Sequence, residues 1–312
     1  MKTSTFKGQE PYLQQLYACE QSFYAGGPYW HLCTDGQSTE LLFESTDDYR
    51  FAMNAVASCS IIEGVRVLTF QLMSNHFHFI LGGIESICRS FYDKLIRKLK
   101  FYNESNGRIV NWNALKMQLI PIDSLQSLRN EIVYVNRNGY LVYSNYTPFS
   151  YPWGAGYLYF NDPALNTSCS KWQTVNYKER ERMCRGRISG LPDSLLIADG
   201  IILPQSYTAF REGMAMFSNA HQYFSLVSKN FEAYSEVAKR LGDTMILTDD
   251  ELYSALRHVV RQEYGNQQTT SLPNAAKIEL AKRLRHGYNA STGQIQRLLR
   301  LDRSIVTELF GR

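Results

Sequence analysis

The apolar and polar positions in the first half of the chain alternate with two periods, and the changes of period mark elements. Residues 27–34, GPYWHLCT, read as a strand. Asp47 to Ile62 carries Phe51, Ala55, Cys59 and Ile62 at helical spacing, and Gly64 punctuates the helix this predicts. Val65–Met73 is rich in β-branched residues and predicts a strand. Ser74-Asn75 signals a turn, and His76–Leu81 predicts another strand that Gly82-Gly83 stops, so Val65–Leu81 reads as a hairpin. Glu85–Asn103 predicts a helix with Ile87, Phe91, Leu95 and Leu99 on its apolar side. Leu115–Ile122 fits a strand. Asp123 or Ser124 can cap a helix to Asn138, with Gly139 suited to end it. The order β-α-β-β-α-β-α predicts an α+β fold, a ferredoxin-like antiparallel sheet with helices on one face.

Beyond Gly139 the pattern changes. Tyr140–Phe160 is aromatic with Gly and Pro and predicts irregular structure, a satellite core around Trp153 or a surface that stacks unpaired bases. Lys171–Gly190 holds six basic and two acidic residues, and the chain is helical by pattern from Ser206 on. The predicted organisation is an α+β domain over 1–160, a basic linker region over 161–205, and an all-α region over 206–312.

Composition narrows the class. Hydrophobic residues make up 44% and charged residues 20%, so the chain folds. A net charge of +4 permits an anionic partner without demanding one. No apolar run reaches the roughly 18 residues of a membrane span, and MKTSTFKGQEPYLQQ lacks the apolar segment of a signal peptide. Both predict a cytoplasmic protein with no membrane partner. The six cysteines form no CxxC pair, which speaks against a thiolate zinc site and for free thiols.

The candidate chemistry lies in the run QLMSNHFHFIL, residues 71–81. Residues i and i+2 of a strand share a face, so His76 and His78 project side by side while Phe77 and Phe79 turn to the core. Paired imidazoles suit a divalent metal; two satisfied surface histidines are the alternative. On the helix to Asn138, Leu125, Leu128 and Ile132 cluster on one side to pack on the sheet, with Tyr134 opposite Leu125. Asn138 sits about 40° from Tyr134, and Glu131 lies near Asn138. A tyrosine nucleophile, two imidazoles and an oxygen ligand would suit phosphoryl transfer.

The run Leu72-Met73-Ser74-Asn75-His76-Phe77-His78-Phe79-Ile80-Leu81 resembles the HUH motif of single-strand tyrosine transposases. Val133-Tyr134-Val135-Asn136-Arg137-Asn138-Gly139, followed by Tyr151-Pro152-Trp153, resembles their tyrosine helix, with REP-associated tyrosine transposases the nearest branch. The resemblance covers roughly residues 27–157. It implies that His76 and His78 bind Mg²⁺ or Mn²⁺, and that Tyr134 attacks a DNA phosphate to give a 5′-phosphotyrosine and a free 3′-OH. Asn138 would be the third metal ligand, with Glu131 its rival. Ser74 and Gly139 stand where the family pattern has Pro. Tyr140 and Tyr143 are lesser rival nucleophiles, because Gly139 is expected to end the helix before them.

The partner implied is DNA, as single-stranded hairpins or repeated palindromes, with a homodimer left open. Arg89, Lys94, Arg97, Lys98 and Lys100 line the polar side of the Glu85–Asn103 helix, which reads equally as a phosphate track or a solvated face. Residues 277–312 hold eight Lys+Arg against three Asp+Glu. Short helices with tight turns over 275–310 read as a helix-turn-helix. It resembles the replication-initiator, origin-binding type fused to some members of this branch. Arg303, Ser304 and Thr307 would open its recognition helix. The reading is a transposase-like, metal-dependent DNA endonuclease and strand transferase in a nucleoid-associated, prokaryotic-type setting. The rival is a non-catalytic DNA-binding regulator on the same fold. An RNA-binding sheet is weaker, because the assigned strands lack an RNP signature.

Overall fold

The structure, a computed structural model, describes residues 10–34, 41–142, 146–147, 149–186, 188–229 and most of 252–311, some by backbone alone. β1 (Tyr29–Thr34), β2 (Arg66–Leu72), β3 (Phe77–Gly82) and β4 (Met117–Ile122) form an antiparallel sheet in the order β2-β3-β1-β4. β2 and β3 make the expected hairpin, closed by the Met73 N–H donating to the His76 carbonyl at 2.9 Å. Directly opposed residues share a face. The register therefore lines up Gln71, His78, Cys33 and Gln118 across one face, and Phe70, Phe79, Leu32 and Leu119 across the other.

α2 (Thr46–Glu63) and α3 (Glu85–Ser105) cover the phenylalanine face. α2 opens on a capping box: Ser45 Oγ accepts the Asp48 N–H, and the Asp48 carboxylate accepts the Ser45 N–H. It ends at Gly64, whose φ of 69° is left-handed and cheap only for glycine. Phe79 stacks on Phe70 at 5.5 Å and meets Phe91 of α3 edge-on at 5.3 Å. Burying each such ring contributes about 1.5–3 kcal/mol.

α4 (Leu125–Val142) lies on the opposite face, so the helices cover both sides of the sheet and not one. The reason is in the strands: all of β3 is buried, and a strand buried on both faces needs two covering layers. Ser124 caps α4, its Oγ accepting the Ser127 N–H at 3.1 Å. Gly139 does not end the helix, which continues through Tyr140, Leu141 and Val142. A helical glycine costs only about 1 kcal/mol relative to alanine, too little to end a helix by itself. α4 is also buried nearly all round from Glu131 to Arg137, because a later segment covers its outer side. There Arg129 Nε donates to the Met216 carbonyl, and Asn136 Nδ2 to the Tyr223 hydroxyl at 3.0 Å.

An additional helix, α1 (Glu10–Gly26), precedes β1. The stretch expected as a basic linker is folded. It carries α5 (Asp162–Leu165), β5 (Ser170–Lys171), α6 (Tyr177–Cys184), β6 (Leu196–Ala198) and β7 (Ile201–Ile202), with the strands in the order β5-β6-β7. Trp172, Met183, Cys184, Leu195 and Ile202 form a small core that includes Ala57 of α2. The charges of α6 lie mainly on its exposed side, which let a basic composition hide a packed layer. α7 (Phe210–Ala215) and α8 (Ala220–Lys229) join the sheet's own core through Phe210, Tyr223 and Val227. That packing unit therefore extends past residue 160 to Val227.

Toward the C-terminus α9 (Asn274–Tyr288), α10 (Thr292–Leu299) and α11 (Arg303–Phe310) share a separate core of Leu280, Leu284, Ile295, Leu299 and Val306. Among the described residues, no helix is long and apolar enough to cross a membrane.

Candidate functional site

β1, β3 and α4 meet in a polar cluster inside an apolar shell. The His76 and His78 rings lie 5.1 Å apart, side by side as the period-two pattern requires. Tyr134 of α4 approaches His78 edge-on at 5.6 Å. A third imidazole, His31 of β1, is 5.3 Å from the His78 ring and 6.1 Å from the Tyr134 ring. His31 Nε2 is 3.1 Å from His78 Nδ1, and His31 Nδ1 is 2.6 Å from Glu131 Oε2. His31, Cys33 and His78 bring one ligand atom each within 4.8 Å of one another.

The cluster is dry at its inner end and open at its outer end. His31 and Glu131 are 0% exposed, His78 1% and Tyr134 3%, whereas Ser74, Asn75 and His76 at the hairpin turn are half-buried. His76 Nδ1 lies 2.8 Å from Asn75 Oδ1.

The structure thus brings together three sequence-predicted residues, His76, His78 and Tyr134. Asn138 lies one turn beyond Tyr134, half-buried, its Nδ2 buried without a hydrogen-bond partner. Glu131 is on the sheet side of α4, but its Oε2 faces His31. Tyr134 also turns to the sheet, where the apolar pattern had assigned Leu125, Leu128 and Ile132. Tyr140 is helical, so the premise that ranked it low does not hold. It still lies about 120° around α4 from Tyr134, and its side chain, like the whole of Tyr143, is outside the described residues. His31 was missed by sequence reasoning. The available signal was a histidine at i, i+2 from Cys33 in a strand otherwise fit for burial.

The second motif supports the first. Trp153 and Ala155 add to the β2 edge: Leu72 N–H donates to the Trp153 carbonyl at 2.8 Å, and Ala155 N–H to the Phe70 carbonyl at 3.0 Å. The Tyr151 hydroxyl donates to the Leu72 carbonyl at 2.6 Å, and Trp153 stacks on Tyr49 at 4.8 Å. Trp153 thus packs against the main core and not in a satellite core of its own.

The basic residues of α3 are not at the histidines. α3 covers the other face of the sheet, and four of its cations have partners within the chain, Lys100 lying 3.9 Å from Glu104. Arg89 bonds Glu85, Lys94 bonds Glu63, and Lys98 Nζ donates to the Cys184 carbonyl at 2.9 Å. Arg97 is exposed. In the C-terminal unit a three-residue turn joins α10 to α11. Asp302 caps α11, its Oδ1 accepting from Ser304 N–H at 2.8 Å and Ser304 Oγ–H at 2.6 Å. Arg303 and Ser304 are exposed and Thr307 half-buried, and Arg297, Arg300 and Arg303 line a groove of about 700 Å³.

No family model matches this chain, and neither the curated proteins nor the solved structures hold a match.

Proposed function

We propose that the chain is a metal-dependent, single-strand DNA endonuclease and strand transferase of the tyrosine type. The observation that carries this reading is Tyr134, whose ring meets His78 at 5.6 Å on the face His76 shares. In the reaction the Tyr134 oxygen attacks phosphorus, the bond to the 3′ oxygen breaks, and that oxygen leaves as a 3′-OH. The product is a 5′-phosphotyrosine that a later 3′-OH can displace. The strand order β2-β3-β1-β4 agrees with a ferredoxin-like sheet as the platform.

His76, His78 and the Asn138 side-chain oxygen would hold the ion. Two imidazoles and an amide oxygen form a neutral N/O set that suits a Mg²⁺- or Mn²⁺-type site keeping its waters and binding phosphate. Bound there, the metal would polarise the scissile phosphate. Substrates are hairpins or repeated palindromes, and the C-terminal helices add duplex affinity as a helix-turn-helix led by Arg303. The setting is nucleoid-associated.

A covalent-adduct assay tests the reading. The protein is incubated with labelled single-stranded hairpins from the flanks of its own gene, with Mn²⁺ or with chelator, and run on a denaturing gel. A metal-dependent protein–DNA band that Tyr134→Phe abolishes, while hairpin binding persists, is the expected result. An undiminished band in Tyr134→Phe removes Tyr134 from the chemistry.

The second reading, a DNA-binding regulator without catalysis, is favoured by burial: Tyr134 and His78 are only 3% and 1% exposed. It predicts clear gel shifts with no covalent band under any metal.

A further inference from the structure

We propose that Glu131 and His31 are positioning residues that fix the tautomer of His78 through a buried relay. The inference rests on the reading of His78 as an ion ligand. Its chemistry follows from the two contacts. Taken as an ionised carboxylate, Glu131 only accepts hydrogen bonds, and the 2.6 Å contact then places a proton on His31 Nδ1. A neutral His31 then presents a lone pair at Nε2. The 3.1 Å contact to His78 Nδ1 needs one hydrogen, which must sit on His78 Nδ1. His78 Nε2 therefore carries the lone pair. That is the nitrogen a metal ligand needs, and a carboxylate behind a ligating histidine raises its basicity.

The architecture supports a fixed relay. The three residues come from β1, β3 and α4, two strands paired in register and the helix across them, so no one side chain can swing without disturbing the core. All three are buried to 1% exposure or less, where each contact is strengthened by low polarity and a broken one is expensive. Glu131 is thereby a support for His78 and not the third ion ligand. Cys33 sits in the same row and offers a competing arrangement, an ion held by His31, Cys33 and His78. With His31 Nδ1 held at Glu131, such an ion would take the His31 Nε2 lone pair that the relay needs, so the two exclude each other.

The test uses the full chain with ¹⁵N-labelled histidines and needs no variant for its first readout. Long-range ¹H–¹⁵N spectra of the metal-free protein report which nitrogen of each of the six histidines is protonated. The expected result is the Nδ1–H form at both His31 and His78. Mn²⁺ binding is then measured by electron paramagnetic resonance for the wild type, Glu131→Leu and His31→Phe. Affinity should fall about 10–100-fold in each variant, with far-UV circular dichroism unchanged. An Nε2–H form at His78, or unchanged Mn²⁺ affinity in folded variants, overturns the relay while the adduct assay leaves the tyrosine reading standing. Wild-type protein that shows both Nδ1–H forms but binds no Mn²⁺ overturns the role in ion binding together with the metal reading it rests on. A cobalt–thiolate absorption band lost in Cys33→Ser also overturns the relay, because it places the ion between His31, Cys33 and His78.

Discussion

Gly154→Ala probes how the Tyr151–Ala155 segment supports the site. A Cβ at residue 154 would stand 2.3 Å from the Phe70 carbonyl oxygen and 2.6 Å from Gln71 Oε1, where real contacts keep at least 3.0 Å. The Phe70 carbonyl is backbone of β2, which β3 holds in register on its other side, so the segment must retreat. Retreat lengthens the two flanking bonds, Leu72 N–H to Trp153 and Ala155 N–H to Phe70. Losing both costs about 1–3 kcal/mol. If the segment detaches, the Trp153–Tyr49 stack and the Tyr151 hydroxyl bond go with it, and the total rises to about 2–6 kcal/mol. Alanine also restricts the unfolded chain, which offsets about 0.4–1 kcal/mol. At mid-range the expected net loss is about 1.3 kcal/mol for retreat and about 3.3 kcal/mol for detachment, read as a lower urea midpoint at unchanged slope by tryptophan fluorescence. Because Gln71 stands beside His78 in the register, covalent adduct yield should fall as well. A midpoint shift worth less than about 0.5 kcal/mol, within the range of ordinary surface substitutions, would show that the segment is not seated against β2, and the argument from the second motif would collapse.

Three further predictions concern other parts of the molecule. Burial alone would raise the Asp48 carboxyl, but the Glu44 and Ser45 N–H groups, the Tyr102 hydroxyl and Arg108 outweigh it and hold it below the usual value. A depressed folded-state pKa gives stability that is full above about pH 4 and disappears as pH falls through the folded value. Asp48→Asn should therefore be destabilised near neutral pH, with the gap to wild type closing in acid; a gap constant down to pH 2 refutes the assignment. Asp302→Ala should cost the C-terminal unit about 1 kcal/mol by removing the α11 cap, measured by hydrogen exchange of α11 amides, and unchanged protection would show the cap to be idle. Lys94→Gln and Lys98→Gln should leave the salt dependence of hairpin binding untouched, because both cations are engaged within the chain. Arg303→Gln should lower its slope by about 1, and the opposite pattern in filter-binding titrations would return the DNA path to α3.

The sequence by itself determined what local periods and caps can determine. Period two set His76 and His78 on one face and Phe77 and Phe79 on the other, and the hairpin follows from Ser74-Asn75 between two β-rich runs. Ser124, one of the two caps offered for the helix to Asn138, begins α4 because its side chain satisfies an N–H the helix leaves open. Tyr134 and Asn138 share a helix side by the same reasoning, since four residues return to nearly the same angle. What only the tertiary structure decided depends on contacts far apart in sequence. His31 reaches His78 across 47 residues through the β1–β3 register, and Glu131 reaches His31 across 100 through the docking of α4. Lys94 and Lys98 read equally as a phosphate track or a solvated face, and only the fold shows that Glu63 and the Cys184 carbonyl meet them. Gly139 looked like a helix end, but glycine's local preference is weak enough for α4 to run on to Val142. A period reports the face a residue points to. Which groups wait on that face depends on strand register and helix docking, and these are set by the burial of the whole core.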